Sequence, residues 1–589
     1  MREPGRTTLR CHIYELNSEL SLFFVALAAD YDGTLAHDGV VEPPVVAALE
    51  AFKATGRKLL LVTGRELHHL KEVFPEFRIF DRIVAENGAV VYDPAADRER
   101  DVAPAPSAAF VDALVAKKVK PLSVGRSIVA TWEPNEKIVL ETIQDLGLEL
   151  QIIFNKGAVM VLPPGVNKAS GLAAALNELQ LSPQNVVGVG DAENDHAFLS
   201  ICGCSVAVSN ALAMVKEKAD VVTKEARGAG VVELVERIAK EDTAIVAPGR
   251  HGLRIGKAEG DTILIEPYRG DVLIAGSSGG GKSTVATAMT ERMVERGHQF
   301  CVLDPEGDYR ELENSVCVGD TKTPPRHDEL IDLLKRHISN VVINTLAVPV
   351  EDRPAFFMKL LPDIAEMRAT FGRPHWLIVD EAHHLLPADN PDAPNLPTGD
   401  RPAAILITVH PQAISRQALR NVKTVIAIGP KAHEVIADFC AAAQFPCPAP
   451  TKAPAEGEVL VWRAEWPQSR IATLVPPKQA HKRHTRKYAE GELGTDRSFY
   501  FRGPKGSLNL RAQNLTIFLQ MADGVDDVTW QFHRRNGDYS RWVREAIKDA
   551  DLARQMQSIE RDDAVDAREG RKRIAEAVQA RYTAPAKAD

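Results

Sequence analysis

The chain has 589 residues, a hydrophobic share of 45%, a charged share of 26% and a formal net charge of −9 at pH 7. Those values describe a soluble globular chain with room for about four domain-sized cores, and the acidic balance argues against a surface coated for nucleic acid while leaving a local basic groove open. Seven scattered cysteines, with only Cys202 and Cys204 close together, exclude a zinc ribbon or disulfide framework and point to a reducing cytoplasm.

Residues 1–22 carry no pattern and read as an N-terminal extension. The apolar run Leu20 to Ala29 is too short to span a bilayer and leads directly into Asp30, so it reads as a core strand and no membrane partner is expected. That strand ends at Asp30-Tyr31-Asp32-Gly33-Thr34-Leu35. Two aspartates two apart at a strand end can approach one cation, one through its carboxylate and the other through its backbone carbonyl, and α/β sheets place ligands at such ends. A second strand, Lys58 to Val62, ends at Thr63-Gly64-Arg65, a hydroxyl beside a helix start that suits a phosphoryl oxygen. Gly165-Val166-Asn167-Lys168 opens a helix with a lysine at its head, and a third strand, Asn185 to Val189, ends in Gly190-Asp191-Ala192-Glu193-Asn194-Asp195.

Four polar clusters in this order resemble the haloacid dehalogenase phosphatase superfamily over residues 23–240. The resemblance implies a Rossmann-like core in which Asp30 is the nucleophile that takes up the phosphoryl group. It makes Asp32 the general acid, which later activates water. Thr63 and Lys168 would hold phosphoryl oxygens, Asp191 would complete a Mg²⁺ site with Asp30 and Asp32, and Asp195 would support that site from behind. A carboxylate attacking an anion needs its charge offset, which Mg²⁺ and Lys168 supply. Glu86-Asn87-Gly88-Ala89, some seventy residues before the lysine, resembles the Cof-like class with an inserted α/β cap, expected over about 90–154. Such relatives act on sugar phosphates and similar small phosphorylated metabolites.

A polar, glycine-rich stretch sets a domain boundary near Glu241, followed by a short hairpin at Thr262 to Ile265. The strand Val272 to Ala275 then runs into Gly276-Ser277-Ser278-Gly279-Gly280-Gly281-Lys282-Ser283-Thr284, and a helix follows over Val285 to Arg296. Strand, glycine loop and helix make this a phosphate-binding loop for ATP, its backbone amides cradling phosphates. Lys282 reaches the outer phosphates and Ser283 ligates Mg²⁺. Gln299 to Leu303 is a strand ending in Asp304-Pro305-Glu306-Gly307-Asp308-Tyr309, and Trp376 to Val379 another ending in Asp380-Glu381-Ala382-His383-His384. A strand-terminal Asp380 holds the Mg²⁺ shell and Glu381 polarises the attacking water.

A further strand, Ala404 to Thr408, precedes Val409-His410-Pro411-Gln412. Taken together, the region 241–450 resembles the HerA-like branch of P-loop ATPases, which includes hexameric motors that move DNA or protein. The resemblance makes His410 the γ-phosphate sensor, where the branch often has Gln, and implies a homo-oligomer. Arg416 and Arg420 are open both as arginine fingers and as helix-surface charges.

Residues 451–500 are proline-rich around a short strand, Val459 to Arg463, and the basic run Lys478 to Lys487 is open as a solvated linker or a phosphate contact. Residues 501–589 show apolar positions at helical spacing over Gly506 to Gly524 and Thr529 to Ser558. Trp542 is expected in that core, with a charged tail after Glu560. The chain thus reads as two α/β units and a small helical one. Three functions compete: a phosphohydrolase with an attached ATPase, an ATP-driven translocase with an accessory phosphatase, and a nucleotide-binding scaffold without turnover, against which Glu381 weighs.

Overall fold

A computed structural model describes residues 22–155, 157–277, 280–388, 402–455, 457–478, 493, 497–504, 506, 508–547, 549–562 and 564–582. The expected N-terminal extension up to residue 21, Gly279 of the glycine loop and the basic run beyond Lys478 lie outside them. Two compact units form, one from residues up to 275 with 289–475, the other from 276–288 with 476 onward.

Within the first unit an eight-stranded sheet is built on β1 (Ala26–Ala29), β2 (Lys58–Val62), β3 (Arg82–Ala85), β4 (Val90–Asp93), β5 (Arg98–Asp101), β10 (Val186–Gly190), β11 (Cys204–Ala207) and β12 (Val221–Val222), in the order β12-β11-β10-β1-β2-β3-β4-β5. All four residues of β1 are buried, and strands covered on both faces are continuously apolar in this way. The strands from β12 to β3 run parallel. Ala29 is in register with both Val189 and Leu61, so the segments after β1, β2 and β10 leave the sheet along one edge. Chain order reverses between β10 and β2, the crevice where open α/β sheets bind ligands.

The cap differs from the expected 90–154. Val90–Asp93 and Arg98–Asp101 extend the core sheet as an antiparallel hairpin, because Val90, Val91 and Tyr92 are buried against β3. The separate cap sheet comprises β6 (Ser123–Val124), β7 (Val129–Trp132), β8 (Gln151–Asn155) and β9 (Ala158–Leu162), ordered β6-β7-β9-β8. Its own core of Phe110, Leu114, Val129, Val139 and Val161 draws on the helices Ala108–Ala116 and Glu136–Asp145.

The second sheet has eleven strands: β13 (Leu253–Ala258), β14 (Asp261–Ile265), β15 (Asp271–Gly276), β16 (Phe300–Asp304), β17 (Ser315–Val318), β18 (Asn340–Asn344), β19 (Trp376–Val379), β20 (Ala403–Thr408), β21 (Val422–Ile428), β22 (Glu458–Arg463) and β23 (Arg470–Leu474). The order is β14-β13-β23-β22-β21-β15-β20-β19-β16-β18-β17. From β15 to β17 the pairings are parallel. The segment expected as a linker around one strand, 451–500, supplies both β22 and β23. Four consecutive residues of β22, Val459 to Trp462, are buried, and Trp462 packs on Phe439 and Phe445. This sheet therefore continues past residue 450.

The two sheets share a buried junction. Asn185, just before β10, donates Nδ2–H to Phe23 O at 2.8 Å and Gly372 O at 3.1 Å, and its Oδ1 accepts from His375 Nε2 at 3.0 Å. His375 accepts the Gln299 N–H on Nδ1 and stacks on His298 at 4.9 Å. His251 donates to Gly203 O, and Arg250 pairs with Asp220. Asp242, at the expected boundary, accepts the N–H groups of Phe23 and Phe24.

In the second unit, β24 (Phe499–Phe501) pairs with β25 (Leu510–Ala512) beneath helices packed around Phe518, Trp530 and Tyr539. Trp542 is 8% exposed and donates its indole N–H to Arg497 O. The tail after Glu560 is more than a charged extension. In the helix Ala567–Tyr582, Ile574 and Val578 join the core, and Arg571 lies over the Trp530 ring while donating to Ala522 O and Val525 O. Among the described residues no helix is long and apolar enough to cross a membrane.

Burial holds the junction histidines neutral: His251 is pushed down to about 4 and His298 to about 3 from 6.5, and His375 well below it. An unfolded chain binds these protons below pH 6.5 while the native chain does not, so the stability they contribute is full above 6.5 and lost as pH falls toward 4. We predict that the denaturation midpoint falls over this window, with a shallower slope in His298→Phe; equal slopes in both proteins would contradict the assignment.

Candidate functional site

Four segments meet at the carboxyl edge of the first sheet. Asp30 follows β1 and its N–H is held by Val189 O at 3.0 Å. Thr63 follows β2, its N–H on Val84 O at 2.8 Å and its Oγ1 accepting Arg65 N–H at 3.1 Å. Asp191 and Asp195 follow β10. Lys168 heads the helix Lys168–Glu178, whose start is fixed by a capping box: Asn167 accepts Ala169 N–H and Ser170 N–H, while Ser170 Oγ accepts Asn167 N–H.

Lys168 Nζ donates to Asp30 Oδ1 at 2.5 Å and Asp195 Oδ1 at 2.6 Å. Asp195 Oδ2 accepts Asp191 N–H at 2.8 Å and Ala192 N–H at 2.9 Å. Thus one oxygen of Asp195 holds the lysine and the other folds the loop that carries Asp191. A Cβ on Gly190 would stand 2.7 Å from Asp195 Oδ2, so this approach requires glycine.

Asp30, Asp191 and Asp195 are buried and offer carboxylate oxygens within 4.8 Å of one another. Burial and then Asp195 push the Asp30 carboxyl up to about 8 against the pull of Lys168. Burial also works against the Lys168 charge, but Asp195 and Asp30 outweigh it and raise its pKa above the ordinary value. One ammonium among three buried carboxylates leaves negative charge that a hard cation with oxygen ligands would offset. The donor set, three carboxylates that can each offer one oxygen, fits Mg²⁺.

Asp32 does not share the buried cluster. It is half-exposed, clasped by Arg65 through Nε–H and Nη2–H, each at 2.7 Å. The Arg65 guanidinium in turn lies over the Tyr31 ring at 5.2 Å. The cap covers this side: a Cβ at Gly64 would meet Met160 Sδ of β9 at 3.7 Å.

In the glycine loop, Lys282 is buried and donates to Gly276 O and Ser277 O, both at 3.2 Å. Gly280 and Gly281 lie in the described part of the loop after β15, and Ser283 and Thr284 stand in the first turn of the helix Lys282–Glu295. Asp380 follows β19 and its carboxylate accepts Glu381 N–H at 3.0 Å. Burial, then Asp304 and Glu381, push Asp380 well above the carboxylate range. Asp304, pushed up to about 6 chiefly by burial, accepts the N–H groups of Gly307, Asp308 and Tyr309. Glu381 sits at φ 42, a left-handed conformation that is costly for a side-chain-bearing residue. His383 Nδ1 lies 3.5 Å from Glu381 Oε2 and 3.1 Å from Thr408 Oγ1, which also accepts His410 N–H. The exposed His410 ring is 6.3 Å from that of His383. Arg416 and Arg420 are exposed.

Arg65, Glu86, Asp304 and His383 stand inside the quoted motifs without a role in the sequence reading. The signal for Arg65 was its place two residues after Thr63. For His383 it was the doubled histidine after Glu381.

Residues 27–124 and 136–235 match the family model described as haloacid dehalogenase-like hydrolase, and residues 270–367 match that described as Helicase HerA, central domain. Phosphoglycolate phosphatase 2 of Saccharolobus solfataricus is 30% identical over 228 residues, covering 36% of this chain and 92% of the relative. The phosphoglycolate phosphatase of Haloarcula marismortui is 32% identical over 223 residues, covering 36% and 95%. A solved haloacid dehalogenase-like hydrolase from Bacteroides thetaiotaomicron is 18% identical, with a TM-score of 0.33 and coverage of 36% and 99%.

Replacing Lys168 by Met leaves Asp30 and Asp195 buried without their ammonium, a change that costs about 3–5 kcal/mol in comparable buried pairs. Denaturant unfolding of Lys168→Met is expected to show that loss in EDTA and a smaller one in Mg²⁺. An equal loss in both would count against a cation on these carboxylates.

Proposed function

The chain belongs, through residues 27–235, to the haloacid dehalogenase-like hydrolases, and from that membership we propose a phosphatase that cleaves a small organic phosphomonoester, fused to an ATP-hydrolysing P-loop engine. The observation that carries the first half is the buried Lys168 bridge between Asp30 and Asp195 beside Asp191.

In this reading Asp30 attacks phosphorus, forming an aspartyl phosphate as the alcohol leaves. Lys168 and Thr63 hold the phosphoryl oxygens and Asp32 protonates the leaving oxygen. The Arg65 fork orients the Asp32 carboxylate, the form that takes a proton from water when the aspartyl phosphate is hydrolysed. Bound Mg²⁺ would neutralise phosphoryl charge, held by Asp30, Asp191 and the Asp32 backbone carbonyl, with Asp195 fixing the loop from behind. Phosphoglycolate, the substrate in the relatives' names, heads the candidates, with sugar phosphates beside it.

For the ATPase half, the loop Gly276 to Thr284 would hold the nucleotide phosphates, Lys282 the outer ones, and Ser283 and Asp380 the Mg²⁺. Glu381 would orient the attacking water, steadied by His383, and His410 would sense the γ-phosphate. The HerA match over 270–367 favours a second reading, in which the ATPase is a ring-forming translocase acting on DNA or protein and the phosphatase is accessory. In both readings the domains are a phosphatase over 23–240, an ATPase from 241 and a helical domain from 501, in the reducing cytoplasm.

Asp30→Asn is expected to abolish Mg²⁺-dependent phosphate release from phosphoglycolate and an aryl phosphate while ATP binding persists; retained turnover would sink the nucleophile assignment. Lys282→Ala should abolish ATP turnover and leave phosphatase activity on small substrates unchanged. A fall of both activities together would show instead that the halves are energetically coupled. Light scattering separates the second reading: a mass that rises to a ring with an ATP analogue and Mg²⁺ supports the motor, and a mass that stays monomeric opposes it.

A further inference from the structure

The turn Glu86-Asn87-Gly88 joins more of the phosphatase half than its length suggests. Glu86 and Asn87 are buried and adopt φ values of 51 and 53, left-handed conformations that residues with side chains adopt only under constraint. The backbone explains part of this: Glu86 N–H binds Arg65 O at 2.9 Å and Asn87 N–H binds Thr63 O at 3.0 Å. Asn87 Oδ1 accepts Asn194 Nδ2–H at 3.1 Å. Gly88, at φ 107, lies so close to the Lys168 helix that a Cβ there would stand 1.9 Å from Asn167 O.

None of those contacts uses the Glu86 carboxylate. It crosses to the cap, where Oε1 accepts Arg126 N–H at 3.0 Å and Oε2 accepts Ser127 N–H at 2.9 Å and Ile128 N–H at 3.2 Å. Three consecutive amides of the β6–β7 loop thus converge on one buried carboxylate, a charge-assisted arrangement of the stronger kind. Further ties flank it: at the surface the Arg126 side chain pairs with Asp101 and Glu99 of β5, and in the interior Ser127 Oγ–H binds Ala103 O.

We infer that Glu86 is a positioning residue that latches the β6–β7 loop of the cap onto the turn Thr63–Arg65, setting the space left for the leaving group. Its backbone holds the segment that orients Asp32 through Arg65, and its side chain holds the cap. The latch rests on the phosphatase reading only for its kinetic consequence.

The test is Glu86→Gln in the full chain, which keeps the volume but places an NH₂ group against amide donors. Hydrogen exchange at residues 126–128 is expected to quicken at least tenfold, and KM for phosphoglycolate to rise at least tenfold with kcat changed less than threefold. Unchanged exchange, or a kcat that falls while KM holds, would overturn the latch. Should Glu86→Gln not fold, Gly125→Ala attacks the contact from the cap, since its Cβ would stand 2.8 Å from Glu86 Oε2, and the same two readouts decide. A wild-type protein that turns over no phosphomonoester would defeat the phosphatase reading, and the exchange measurement would still decide the latch.

Discussion

The phosphatase half depends on an ammonium held in a place that disfavours it. Lys168 occupies the first turn of a helix, where the macrodipole repels a cation, and is 1% exposed. Its position is maintained because two carboxylates from different strands converge on it, Asp30 after β1 and Asp195 after β10. The strands they follow are parallel neighbours, with Ala29 beside Val189. Asp195 spends its second oxygen on the amides of Asp191 and Ala192 in the loop after β10.

The second sheet applies a related logic with different means. Asp304 and Asp380 end adjacent strands, β16 and β19, and both are buried. Asp304 is stabilised by three amides of its own loop, whereas Asp380 carries the burden of burial beside Asp304 and Glu381. A divalent cation that relieves such a cluster favours the folded state by its binding free energy.

Strand ends and glycine loops were the legible part of this chain. Lys58–Val62 and Trp376–Val379 appear with the bounds read from their apolar runs, and the residues after them carry the polar groups. The cap was read with the wrong limits because Val90 to Tyr92 is equally apolar as a cap strand or a core hairpin; only pairing with β3 decides it. The strand at Val459 to Arg463 was legible, but proline-rich flanks hid its neighbour β23 and the place of both in the large sheet, where Trp462 of β22 is buried. A charge-rich helix after Glu560 concealed Ile574 and Val578, two apolar residues spaced one helical turn apart among many charges. Long-range partnerships such as Glu86 with residues 126–128 leave no mark in local sequence, since a carboxylate accepting backbone amides demands no particular side chain opposite it.

The bond from His375 to Asn185 ties the foot of β19 to the foot of β10, opposite the ends that carry Asp380 and Asp191. Asn185 also fixes Phe23, whose ring packs against His251, Tyr268 and His375. The phosphatase half therefore uses residues from beyond 250 to close its own floor. A chain severed after Glu241 would keep every buried carboxylate of the first site yet expose that floor, with Asn185 deprived of two partners and aromatic faces turned to water. The natural seam for dividing this protein does not coincide with the boundary between its two sheets near Glu241.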